Sequence, residues 1–207
     1  MKKILALILT VCCLSVLLCF PVNAAGEKEV LLVVEKSGGD ITVDISTNFK
    51  CGAIQGAVKY DGDNIEYDSA AVNSGIEENN AVASSFKNSS GTTRVALVGD
   101  SLSGTENNWA NITYSADEST PALFDFTALK VFDKGGNKLT DVTAITVMYG
   151  DVDNNGLITL IDLVRFKKVL SSGATVEAGK ERNLDVNKDG TGSQADDMTE
   201  LRKNLLK

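Results

Sequence analysis

The segment Gly150-Asp151-Val152-Asp153-Asn154-Asn155-Gly156 returns 34 residues further on as Leu184-Asp185-Val186-Asn187-Lys188-Asp189-Gly190, and each copy runs into a stretch of helical periodicity. One cluster of Asp, Asn and Gly reads as a solvated turn. Two copies in register, each before a helix, define a repeated unit. Oxygen-bearing side chains at alternate positions, with glycine at the sixth place, suit a hard divalent cation: calcium takes about six to eight oxygens from positions 1, 3, 5, 7, 9 and 12 of such a loop. In the first copy these places hold Asp151, Asp153, Asn155, the carbonyl of Leu157, Thr159 directly or through water, and Asp162. In the second they hold Asp185, Asn187, Asp189, the carbonyl of Thr191, Ser193 and Asp196. A one-residue insertion in the second loop would shift its last ligand to Asp197 and would align Met198, Leu201 and Leu205 better with the first helix. The expected cofactor is calcium, two ions in all. Without metal the carboxylates of each loop repel one another and the small core cannot meet the entropy of ordering, so calcium is expected to drive folding of the tail.

The tail also changes period relative to what precedes it. Ile161, Leu163, Val164, Phe166, Val169 and Leu170 trace a broad helical face, and Met198, Leu201 and Leu205 a narrower one. From Glu29 to about Met148 the pattern is instead that of short strands: Val30–Glu35, Ile41–Thr47, Ala53–Tyr60, Ile65–Tyr67, Val82–Phe86, Arg94–Val98, Trp109–Tyr114, Phe124–Phe132 and Ala144–Met148. In Ile41–Ser46 apolar and polar residues alternate as a half-buried antiparallel strand requires. Asp133–Asn137 reads as a turn between two strands. The fold expected is an all-β sandwich of jelly-roll type over residues 25–148, followed by a small all-α calcium-binding module over residues 149–207 with two EF-hand-like loop-helix repeats. No Pro-rich or Ser/Thr-rich linker separates them, so the tail is expected to pack close to the sandwich.

Residues 1–24 read as a secretory signal peptide: Lys2 and Lys3, an apolar run from Ile4 to Phe20, then Val22 and Ala24 as the small residues before cleavage. The expected location is extracellular. Three of the four cysteines fall in that segment, which leaves Cys51 without an intramolecular disulfide partner. After removal of Lys2 and Lys3, 18 basic residues face 28 acidic ones, and nearly all of the acidic excess precedes Tyr149. An acidic chain without a basic stripe argues against nucleic acid and against anionic membranes as partners.

The duplicated Asp-x-Asp/Asn-x-Asn/Asp-Gly loop ending in Asp resembles a type I-like dockerin over Gly150 to Lys207. That resemblance implies docking onto a cohesin module of a scaffold protein, as in cellulosomes. It further implies contact through loop positions 10 and 11 and a basic pair beyond: Leu160, Ile161, Lys167 and Lys168 in the first copy, and Gln194, Ala195, Arg202 and Lys203 in the second. The first pair of loop residues is apolar and the second is not, an asymmetry that bears on binding in two orientations. The preceding region is similar to a cohesin: Gly52–Asp61 followed by Ile65–Tyr67 match early strands, and Trp109–Tyr114, Ala128–Asp133 and Gly136–Leu139 match closing ones. Such a sandwich would accept a dockerin-bearing enzyme; the competing expectation is a sandwich that binds polysaccharide. Trp109, followed by alternating apolar positions, reads as core rather than as a sugar platform.

No enzyme is expected. The chain has no histidine, which removes Ser-His-Asp and Cys-His arrangements and His-ligated zinc. The carboxylate pairs Glu77-Glu78 and Asp117-Glu118 lie in polar stretches without a motif that would hold them at a glycosidase separation. Cys51 reads as a buried strand thiol.

Overall fold

The structure is a computed structural model that describes residues 28–72, 83–102, 108–177, 179–192 and 194–206. The expectations for residues 1–24, Glu77-Glu78, Val82 and Ser193 lie outside the described residues.

Ten strands form two sheets. They are β1 (Lys28–Ser37), β2 (Asp40–Thr47), β3 (Cys51–Lys59), β4 (Ile65–Val72), β5 (Ala83–Ser89), β6 (Thr92–Leu102), β7 (Asn108–Ala116), β8 (Asp125–Phe132), β9 (Lys138–Leu139) and β10 (Val142–Val147). One sheet has the order β10-β1-β2-β7-β4, the other β5-β6-β3-β8-β9. Pairing is antiparallel except between β1 and β10. Each of the nine segments expected as strands overlaps a strand, with Tyr60, Phe124 and Met148 falling one residue beyond a strand end. The tenth, β9, is two residues long and pairs with β8 across the Asp133–Asn137 turn, where Asp133 accepts hydrogen bonds from the Asn137 amide and side chain.

Alternation places the core. On β2, Ile41, Val43 and Ile45 are buried while Thr42, Asp44 and Ser46 are partly exposed, and the same period puts Val30, Leu32 and Val34 of β1 and Ala110, Ile112 and Tyr114 of β7 inside. Each fully buried Val, Leu or Ile contributes about 1.5–3 kcal/mol of transfer free energy, so this core holds the sandwich together with no disulfide and no metal. Trp109 is 1% exposed and belongs to that core, as its sequence context implied. Burial also pushes the Cys51 thiol up to about 12, which keeps it inert at neutral pH.

Beyond β10 lie α1 (Leu160–Ser172), a 3₁₀ turn (Glu181–Leu184) and α2 (Ala195–Asn204). Val152, Phe166, Leu184, Val186 and Leu201 form a second core that is much smaller. Ile158 packs against both cores. The broad face read for α1 is only partly an inside face: Phe166 is buried and Leu163 and Val169 half-buried, but Ile161 and Val164 are 57% and 68% exposed. No described helix is long and apolar enough to cross a membrane.

Candidate metal centres and docking face

The two loops are built by one set of hydrogen bonds. Asp151 accepts from the amides of Asn155 and Gly156 at 3.0 and 2.8 Å, and Asp185 accepts from those of Asp189 and Gly190, both at 3.0 Å. At the fourth position Asn154 and Lys188 both have φ near +60°, and at the sixth Gly156 and Gly190 have φ of +79° and +85°. Each loop therefore folds back over its first carboxylate. At the fifth position Asn155 and Asp189 accept from the amides of Leu157 and Thr191.

The loop ends are set by the helix caps. Thr159 caps α1, and Asp162 at the third helical position completes a capping box, accepting from the Thr159 amide at 2.8 Å. The other oxygen of Asp162 accepts from Val152 and Asp153 amides, tying the start of the loop to its end. In the second copy Gln194 is the cap, and the residue at its third position is Asp197, which accepts from the Gln194 and Asn187 amides. Asp197 is fully buried like Asp162, while Asp196 is exposed. Asp197 thus holds in the second copy the capping place that Asp162 holds in the first, the alternative that the helical register of Met198, Leu201 and Leu205 had offered beside Asp196.

Asp151, Asp153 and Asp162 bring one carboxylate oxygen each to within 4.8 Å of one another. Oδ1 of Asp153 is buried without any hydrogen-bond partner, although Arg165 approaches the other oxygen at 3.6 Å. Burial, opposed by the Gly156 and Asn155 amides but reinforced by the negative charges of Asp162 and Asp153, pushes the Asp151 carboxyl above its ordinary range. Asp185 is pushed the same way, again first by burial. Three converging carboxylates, an orphaned buried oxygen and carboxyls that resist ionisation are the signature of a site that wants a cation, and an all-oxygen donor set fits calcium. In the second loop Asn187 Nδ2 donates to Asp189, and that stretch is exposed.

The expected partner-contacting residues divide by helix. Leu160 and Ile161 are 67% and 57% exposed at the start of α1, and Val164 extends them into one apolar strip. Lys167 and Lys168 are exposed on the following turn. Gln194, Ala195, Arg202 and Lys203 are exposed on α2, with Lys203 paired to Glu200 at 3.2 Å. Val164 belongs to the helical apolar stripe, which cannot by itself tell a core face from an exposed one.

The sandwich supports the first loop directly. Ala122 N–H donates to the Gly156 carbonyl at 2.8 Å, and a Cβ at Gly156 would stand 2.8 Å from that same nitrogen, so only glycine fits. Asn183, 1% exposed, binds three groups at the junction: its carbonyl accepts from Gly150, its side-chain oxygen from Met148, and its side-chain nitrogen donates to the Asp151 carbonyl. Arg182 pairs with the buried Glu29, which also accepts from Asn48. Lys188 pairs with Glu35 and lies 5.2 Å from the Tyr149 ring centre. Sequence reasoning missed Asn183, which stands in no pattern.

Asp117 and Glu118 are exposed at a turn that the Thr120 amide closes on the Asp117 carbonyl.

No curated protein matches the chain. Among solved structures, a non-cellulosomal cohesin from the hyperthermophilic archaeon Archaeoglobus fulgidus is 14% identical, with a TM-score of 0.46 over 58% of this chain and 87% of that one. A type I cohesin-dockerin complex from Clostridium thermocellum gives 13% identity and a TM-score of 0.46 over 58% of this chain and all of that one. The sixth cohesin of scaffoldin B from Acetivibrio cellulolyticus, solved with the Cel5 dockerin, gives 18% and 0.42 over 58% and 96%. The tail is placed by sequence: residues 149–206, two loops and two helices, match the family described as the dockerin type I domain.

Proposed function

We propose that this chain is a secreted, non-catalytic component of a cellulosome-type complex. Residues 1–24 direct export. Residues 149–207, ordered by two calcium ions, dock onto a cohesin module of a scaffold protein, and residues 25–148 present a second binding surface. The first ion is held by Asp151, Asp153, Asn155, the Leu157 carbonyl, Thr159 and Asp162. The second is held by Asp185, Asn187, Asp189, the Thr191 carbonyl and Ser193, with Asp197 in place of Asp196. A bound calcium ion would supply positive charge that offsets the repulsion among the converging carboxylates and would tie each loop to its helix.

The convergence of Asp151, Asp153 and Asp162, with the orphaned Asp153 oxygen among them, supports this reading most strongly. The docking face is the apolar strip of Leu160 and Ile161, flanked by Lys167 and Lys168. The α2 face offers only Gln194, Ala195, Arg202 and Lys203 and lacks an apolar anchor, so one orientation dominates. Replacing Asp151 and Asp185 together by Ala is expected to abolish binding to a panel of cohesin modules while the sandwich stays folded; unchanged affinity in that variant would sink the claim.

For the sandwich, the cohesin resemblance supports a dockerin-bearing enzyme as its ligand, making the chain an adaptor. A second reading, a polysaccharide-binding sandwich carried by its tail, is favoured by one observation: the open face of β5-β6-β3-β8 is a trough of mostly small side chains bordered by four cations.

A further inference from the structure

That trough has a volume of about 760 Å³ and lies across four strands. Lys59, Lys87, Arg94 and Lys130 stand around it, four of the nine basic residues between Ala25 and Tyr149 in the acidic half of the chain. None of the four is in an ion pair among the described residues, whereas Lys28 holds Asp141 and Lys36 donates to the carbonyls of Asp117, Glu118 and Thr120. Lys87 and Arg94 face each other directly across β5 and β6. Like charges in that position destabilise a sheet. The acidic residue nearest the group in register is Asp125, opposite Lys59 at the edge of β3 and β8.

The floor is made of small and neutral side chains. Ala57 and Ala96 lie between the cations, with Gln55, Ser85 and Thr127 offering hydrogen-bonding groups. A bulge between β3 and β8 places Ala128 in the lining at φ +54°, a conformation that a side chain resists. Such kept strain gathers at binding sites.

Two absences from the lining narrow the ligand. No aromatic ring is present, so neutral sugars have no platform to stack on. No large exposed apolar side chain lines it either; a protein partner would need such an anchor at the centre of its contact. What remains is an open track of mostly small side chains with paired cations, matched by an extended polymer that carries one carboxylate on each ring and hydroxyls between.

We propose that the trough of β5-β6-β3-β8 binds an acidic polysaccharide of the polyuronate class, with Arg94 and Lys87 gripping one carboxylate and Lys130 and Lys59 its neighbours along the chain. The geometry of the guanidinium allows a bidentate grip at Arg94. This rests on the polysaccharide reading of the sandwich and gives it a chemical class.

The test is calorimetric titration of the full chain, at low ionic strength and in dilute calcium, with tetragalacturonate, cellotetraose and tetraglutamate as probes. Tetragalacturonate is expected to bind, more weakly as salt rises, and the double variant Arg94→Glu/Lys130→Glu to lose about tenfold or more of that affinity. Lys134→Glu, an exposed charge in the β8–β9 turn, should change nothing, and circular dichroism of all variants should match the wild type. Equal affinity for tetraglutamate, or tetragalacturonate binding unmoved by the double variant, overturns the proposal. Binding of cellotetraose alone overturns the uronate class and keeps the polysaccharide reading, while binding of neither sugar overturns both.

Discussion

The two loops of the tail share a hydrogen-bond plan and differ in what surrounds it. In the first, Asp151, Gly156 and Asp162 are buried, the Gly156 carbonyl is held by Ala122, and Asn183 grips the Asp151 carbonyl. In the second, Asn187, Lys188, Asp189 and Gly190 are exposed, and Glu35 of the sandwich pairs with Lys188. The helices differ in the same sense: α1 carries Leu160, Ile161 and Val164 outward, whereas α2 shows Gln194 and Ala195 at the corresponding place. A duplicated unit has thus been divided by its neighbours. One copy is braced by the sandwich and bears the apolar anchor, and the other closes the small core through Leu201.

The largest effect that sharpens this contrast is at the first carboxylates. Asp151→Ala removes the acceptor for two loop amides inside a buried site, so it should lower calcium affinity of the first loop by roughly two orders of magnitude or more and unfold the tail. Asp185→Ala should remove one ion and leave the other. Calorimetric stoichiometry reads the difference: one retained site for Asp185→Ala and none for Asp151→Ala. Equal behaviour would break the contrast.

The next largest separates Asp197 from Asp196. Asp197→Ala takes away the buried cap of α2 and should cost about 1–3 kcal/mol of metal-loaded stability, against a few tenths for the exposed Asp196. Thermal unfolding in saturating calcium measures both. On the docking face, Leu160→Asp should weaken cohesin binding by about 2 kcal/mol, and Ala195→Asp by less than about 0.5 kcal/mol, in surface plasmon resonance.

A last pair of effects concerns the brace. Arg182→Ala leaves the buried Glu29 carboxylate without its cation and should reduce stability by about 1–3 kcal/mol. Lys188→Ala breaks a pair whose members are each about half exposed and should change it by about 0.5 kcal/mol or less. If the two variants lose the same amount, the brace does not favour the first loop.

Much of this was legible in the sequence, and the omissions have physical reasons. Alternation is plainest in β1, β2 and β7, where one face is buried; β9 is too short for any alternation to appear. The three carboxylates that converge in the first loop, Asp151, Asp153 and Asp162, could be counted directly from the loop spacing. Those of the second loop could not, because an insertion after a glycine leaves no mark in composition, and only the phase of Met198, Leu201 and Leu205 hinted at Asp197. The outward turn of Val164 was hidden for another reason: an apolar residue on a helix gives the same periodic signal whether it faces a core or solvent. Asn183 works through three hydrogen bonds at a junction, a role that no spacing announces.

The central claim is that calcium orders the tail while the sandwich stands on its own core. Amide hydrogen exchange on the full chain, with calcium and with chelator, tests it directly. The account predicts that chelation strips protection from Asn155, Gly156, Asp189, Gly190 and the amides of α1 and α2, leaving β1, β2, β3 and β7 as protected as before. Unchanged protection in both loops after chelation would contradict it, as would loss of protection through the sandwich strands in parallel with the tail.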